Sequence, residues 1–166
     1  RWLRSMSRGE RRSGLLATSG ARRLRADGLG VTLNATDGAK IAHWYLNGPG
    51  DVRSSLALEV TANEYTSQGL ELDYCGVCWG GDLVWSEAGW TFRRFHGAAW
   101  NRVSNAERRR FLINSYRVLL TRAREGMVIW IPAGSADDST RAPDLLNRTY
   151  DFLSSCGLKD LTERSE

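Results

Sequence analysis

Lysine is nearly missing from this chain. Of its 23 basic residues only Lys40 and Lys159 are lysines, so arginine carries almost all of the positive charge and the net +4. The planar guanidinium fork suits phosphate and carboxylate, which fits a polyanionic partner. A GC-rich genome produces the same bias, and composition does not separate the two. Histidine is just as scarce: His43 and His96 have no evident partners, and neither a Ser/His/Asp triad nor a metal cluster is apparent. Cysteine occurs three times, at Cys75, Cys78 and Cys156. The first two are spaced C-x-x-C, but residues three apart on a strand face opposite sides, which argues against a shared metal or disulfide. All three are expected to be buried, reduced thiols of a cytoplasmic protein. No apolar run is long enough to span a bilayer and no signal peptide is present, so neither insertion nor export is expected. A phosphate loop of the form G-x-x-x-x-G-K-[ST] is also missing. Asp37-Gly38-Ala39-Lys40 lacks its spacing and is not expected to open a helix.

What is present is the material of one globular domain. The chain has 166 residues, 42% of them hydrophobic and 25% charged, enough for a sizeable core and too apolar for disorder. The stretch from Thr61 to Asp82 organises the rest. Leu56 to Thr61 reads as a strand leading in, Gln68-Gly69-Leu70-Glu71 as a turn, and Tyr74 to Trp79 as a buried strand leading out. A polar loop between strands is how an α/β protein delivers side chains to the edge of a parallel sheet. Gly69 lets the backbone approach a ligand, with an amide at Gln68 and a carboxylate at Glu71 beside it. An ordinary turn uses the same residues, and a lone Q-G-x-E does not decide.

Upstream, Trp2, Leu3 and Met6 fit one helical face. The chain starts inside that helix without a Met and is expected to be part of a longer protein. Ser13 to Thr18 reads as a strand, followed by a helix from Ala21 to Ala26 with Ser19 as its N-cap. Eight arginines against one acid fall within residues 1–25, either a solvated face or a surface for a polyanion. Residues 27–55 read as loop with a short apolar segment at Ile41 to Leu46. Downstream, Leu83 to Trp85 and Trp90 to Phe95 suggest an inserted hairpin. Its aromatics, beside Arg93 and Arg94, are expected to pack onto the domain rather than stack on bases. Ser104-Asn105-Ala106-Glu107 is a capping box for a helix running to about Arg124, with Leu112, Tyr116, Leu119 and Ala123 on its core face. Gly126 would stop it before a strand from Met127 to Ile131. Pro143 opens a last helix to Cys156, with Leu146, Tyr150 and Leu153 on one face and Gly157 as its stop. Together the elements describe an α/β domain with a mostly parallel sheet.

Two segments carry a family resemblance. Asn63 to Asp73, N-E-Y-T-S-Q-G-L-E-L-D, resembles the fifth conserved motif of superfamily-one helicases, T-x-H-x-x-Q/K-G-x-E. Arg117 to Arg124, R-V-L-L-T-R-A-R, looks like their sixth, Y-V-A-L-T-R-A. Nearly the whole chain, including L-L-A-T-S-G-A-R-R-L-R-A and C-W-G-G-D, is similar to the C-terminal half of the schlafen-like DNA/RNA helicase domain of bacterial proteins. The resemblance implies a RecA-like P-loop NTPase-type domain, the second motor domain of an ATP-driven helicase. It implies that Arg122 is the arginine finger and that Glu71 binds the nucleotide ribose. Gln68 and Gly69, with Arg124 nearby, would line the nucleotide cleft, and Asn63, Tyr65 and Ser67 would contact a single strand of DNA or RNA. ATP and Mg²⁺ would be held mainly by an N-terminal RecA-like domain of the same protein, since this chain has neither phosphate loop nor metal ligands. Asn63, Tyr65 and Arg117 depart from the usual Thr, His and Tyr. A non-catalytic nucleic-acid-binding or interaction module that kept the fold is the alternative.

Overall fold

The computed structural model describes residues 1–29 and 33–161. Its centre is the run Leu-Asp-Tyr-Cys-Gly-Val-Cys, too continuously apolar for a strand with one wet face. It forms β3 (Leu72–Cys78), paired in parallel on one side with β1 (Ser13–Leu16) and on the other with β7 (Ala123–Trp130). A two-residue strand, β2 (Thr61–Ala62), adds to β1, giving the order β2-β1-β3-β7. On one face Leu16, Cys75 and Val77 meet Trp44 of α2 (Gly38–Leu46) and Leu119 of α3 (Ala106–Leu120). On the other, the backbone of Gly76 admits Leu3 of α1 (Trp2–Met6); a Cβ there would stand 2.7 Å from Leu3 and 2.8 Å from Leu15. The fold is mixed α/β, a four-stranded parallel sheet flanked by helices. The neighbouring three-stranded antiparallel sheet is β4 (Leu83–Ser86), β5 (Gly89–His96) and β6 (Ala99–Arg102). It is anchored by Trp85, stacked 3.7 Å from Phe152 of α4 (Pro143–Ser155), and by Trp90 against Trp79. Its aromatics pack, as expected.

Several boundaries differ from expectation. The strand at Leu56–Thr61 shrinks to Thr61–Ala62. Ser54 accepts from the Leu56 amide to cap a 3-10 turn at Ser55–Ala57, and Leu58 takes a left-handed φ of 61°, which no strand tolerates. The segment taken as loop contains α2, because Asp37 is an N-cap: its carboxylate accepts from the Lys40 amide at 3.0 Å. A helix therefore does follow Asp37, although the phosphate-loop spacing is still missing. Ser19 caps nothing. Residues Arg22–Asp27 form a 3-10 helix with Ala21 in the cap position, and the Ser19 hydroxyl turns to Glu64. Asn105, not Ser104, caps α3 through the Arg108 amide. That helix stops at Leu120 instead of Arg124, and Gly126 lies within β7. Pairing with β3, Leu72 against Ala123, overrides the helical propensity of the last residues. Strand β6 was not anticipated. Cys75 and Cys78 are buried and free, on opposite faces of β3, but Cys156 at the end of α4 is exposed. Tyr150 also faces outward, its hydroxyl donating to Asp160 at 3.0 Å.

Candidate functional site

A parallel sheet has two unlike edges, one where strands begin and one where they end. Glu71 lies at the first. Gly69, with φ of 74°, turns the chain into β3, leaving Gln68, Gly69 and Glu71 exposed. The Glu71 carbonyl accepts from the Tyr45 hydroxyl at 3.0 Å, and the next amide, Leu72, donates to the Arg122 carbonyl at 3.1 Å. Glu71 and Arg122 therefore occupy matching positions just before two paired strands. Arg124, one step into β7, brings its Nε to 3.8 Å from the Glu71 carboxylate, with both side chains more than half open to solvent. Arg122 is half-buried. Its Nε donates to the Val118 carbonyl at 3.1 Å, and among the described residues its guanidinium has no carboxylate partner. Burial pushes the neighbouring Cys75 thiol up to about 12, with the Arg122 charge pulling the other way.

Asn63, Tyr65 and Ser67 lie at the opposite edge, beyond the end of β2. Asn63 is buried. Its Oδ1 accepts from the amides of Tyr65 at 3.0 Å and Thr66 at 3.1 Å, and its Nδ2 donates to the Leu33 carbonyl at 3.2 Å. The buried Ser67 hydroxyl donates to the Asn63 carbonyl at 2.8 Å. Asn63 and Ser67 thus shape a side-chain-capped turn, and Tyr65 is the side chain of the three that it presents to solvent. The eight sequence candidates therefore divide, with Gly69, Glu71, Arg122 and Arg124 toward the edge where strands begin, Asn63, Tyr65 and Ser67 in the turn at the other, and Gln68 exposed in the connection between them.

Sequence reasoning missed a polar cluster beneath the second edge. Glu64, buried, accepts from the Ser19 amide at 2.8 Å, the Ser19 hydroxyl at 2.6 Å and the Ser115 hydroxyl at 3.3 Å. Asp82, 1% exposed, accepts from the Thr18 hydroxyl at 2.5 Å and the Tyr116 hydroxyl at 2.8 Å. Its carboxyl is pushed above the usual range, because burial outweighs the two hydroxyls. The Tyr116 hydroxyl is pushed well up for the same first reason and stays a neutral donor. Gly20 and Gly80 make room: a Cβ at either would fall 2.6–2.7 Å from an Asp82 oxygen. Glycines around a carboxylate in C-W-G-G-D were the available signal. Among the described residues no group of His, Cys, Asp and Glu side chains converges to hold a metal ion, and no helix is long and apolar enough to cross a membrane.

The class is mixed α/β, a parallel sheet with Glu71, Arg122 and Arg124 gathered where its strands begin. Residues 1–133 match the family model of the Schlafen group 3, DNA/RNA helicase domain, and the chain belongs to that family. This ties it to nucleic-acid function. No curated protein and no solved structure matches the chain.

Proposed function

We propose that this chain is the second, RecA-like motor domain of an ATP-dependent DNA or RNA helicase or translocase. The observation that carries the reading is Arg122, a half-buried guanidinium without a carboxylate partner among the described residues. Beyond the Nε bond to Val118, its guanidinium fork is not engaged by a carboxylate among the described residues, and a nucleotide phosphate brought by a facing domain would take it up. Glu71, exposed beside it, suits a ribose hydroxyl, and Gln68, Gly69 and Arg124 border the same face. ATP is the substrate, and a first motor domain of the same protein would hold its phosphates and Mg²⁺. Phosphoryl transfer depends mainly on positioning and charge neutralisation, so one arginine presented across a cleft gates hydrolysis. Single-stranded nucleic acid would run past the turn bearing Tyr65. Such binding is sequence-independent and falls steeply with salt, because phosphate contacts release counterions.

The test is ATP turnover and nucleotide affinity of the full-length protein for Arg122→Ala beside Arg124→Ala. Arg122→Ala should lose about 10³–10⁵ in turnover while nucleotide affinity changes far less, and Arg124→Ala should be milder. An Arg122→Ala protein that folds and hydrolyses ATP within a few-fold of wild type removes the finger. The non-catalytic binding module then becomes the better reading.

A further inference from the structure

Helix α3 carries on its open side an aromatic that lies outside both helicase-like segments. Phe111 is 50% exposed and stacks with Tyr65, itself 45% exposed, at 6.1 Å between ring centroids and 29° between planes. The fold does not require it there, since Tyr116 and Leu119 are buried from the same helix and Leu112 packs beside them. Two adjacent aromatics each half in water form an apolar ledge in a basic setting. Arg108 stands one turn before Phe111, and Arg110 and Arg117 follow the neighbouring exposed stripe. None of the three has an ion pair among the described residues. Glu107, also one turn away, is the acid close by on the helix, while Glu64 is occupied by Ser19 and Ser115.

The geometry points to a base-stacking ledge for single-stranded nucleic acid, built by Tyr65 and Phe111, with the arginines of α3 meeting the phosphates alongside. This rests on the nucleic-acid reading above and adds to it a contact to bases, made by a residue from outside the motif. Stacking tolerates every base, because each has a π-face. Glu64 is the positioning residue: it ties the turn that begins at Asn63 to Ser115, one helical turn past Phe111. The ledge is thereby fastened to the frame while both rings stay open.

Fluorescence anisotropy of the full-length protein, at one fixed salt concentration, tests this with two strands of equal length and charge. One is oligo-dT, the other the same backbone with abasic sites throughout. Wild type should prefer oligo-dT. Phe111→Ala and Phe111→Leu should weaken oligo-dT binding about 5- to 140-fold, the scale of one lost base stack, and leave abasic binding unchanged, while Tyr65→Ala should weaken oligo-dT binding more than abasic binding. Phe111→Trp should retain the preference. Phe111→Leu keeps an apolar side chain of similar bulk, so a loss shared with Phe111→Ala reports stacking and not folding. Equal wild-type affinity for both strands, or variants that weaken both strands alike or neither, would overturn the ledge and assign the pair to a protein contact or plain surface. The wider nucleic-acid reading would survive that result. A wild type that binds neither strand overturns both.

Discussion

The two edges of the sheet use the same residue types for opposite ends. Where the strands begin, Glu71, Arg122 and Arg124 are held by backbone contacts and one long, solvated ion pair of 3.8 Å. Where they end, Glu64 and Asp82 are sunk among hydroxyls and an amide at 2.5–3.3 Å. The two buried carboxylates are committed to partners inside the fold, whereas Glu71, left in water with an arginine beside it, keeps its oxygens open to another group. The first edge is therefore where a second surface can meet Glu71, and the buried cluster at the second is a frame beneath the open turn that carries Tyr65. Substitutions should separate the two, costing stability at one edge and little at the other.

The largest structural effect should come from Asp82→Ala. It orphans the hydroxyls of Thr18 and Tyr116 in a dry site, and unmet buried donors cost about 1–3 kcal/mol each. We expect a loss of about 2–4 kcal/mol in urea unfolding. Ser115→Ala removes a hydroxyl shared between Glu64 at 3.3 Å and the Phe111 carbonyl at 3.2 Å, and Glu64 keeps both bonds from Ser19. It should cost about 1 kcal/mol. If Asp82→Ala unfolds at the wild-type midpoint, the buried cluster is not the frame.

Acidity sharpens the same contrast. The Asp82 carboxyl is held above its ordinary value, first by burial. Such a group contributes stability that is fully present below the unfolded pKa of about 3.9 and is lost as pH rises through the higher folded pKa. Asn at this position does not titrate. The stability margin of wild type over Asp82→Asn should therefore be greatest in acid and shrink as pH rises through that window. Glu125 and Asp138 behave in the opposite sense. Hydrogen bonds from Tyr74 and Arg11 hold the first below its ordinary value, and bonds from Thr140 and Arg141 hold the second. Their contributions are lost as pH falls through the lowered values. Urea midpoints of wild type and Asp82→Asn across pH would settle the sign, and a margin that grows with pH contradicts it.

The elements best read from sequence were those whose signal is local. The continuous apolar run of β3, the 3.6-residue spacing of Leu112, Tyr116 and Leu119, and Pro143 at the start of α4 all describe the element itself. Misreadings arose where a distant partner decides. Arg122 to Arg124 would extend a helix in isolation, but pairing with Leu72 pulls Ala123 into a strand. Strand β6 is short and mostly exposed, and its pairing with β5 gives it its identity. Helix α2 was lost for another reason, since Asp37-Gly38 was taken for loop when the aspartate is a cap. Glu71 and Arg122 were singled out because each sits in a contiguous motif. Glu64, Asp82 and Phe111 were not. Their partners, Ser19, Thr18 and Tyr65, are 45 to 64 residues away and adjacent only in the fold.

The smallest expected effect is the other half of the comparison. Glu71 and Arg124 are both mostly exposed and their charges are 3.8 Å apart, so solvent screens the attraction and the pair contributes little. The contact that matters for the fold at Glu71 is its carbonyl, which holds the Tyr45 hydroxyl and survives any side-chain change. Glu71→Gln, Arg124→Ala and the double variant should all lie within about 0.5 kcal/mol of wild type in urea unfolding, with a coupling energy near zero in the double-mutant cycle. In the full-length protein the same Glu71→Gln change should raise the KM for ATP with less effect on kcat, because a ribose contact is made equally before and during reaction. Stability loss above about 1 kcal/mol would place Glu71 in the frame with Asp82 and erase the distinction between the edges. An unchanged KM would keep the edge loose but take the ribose away from it.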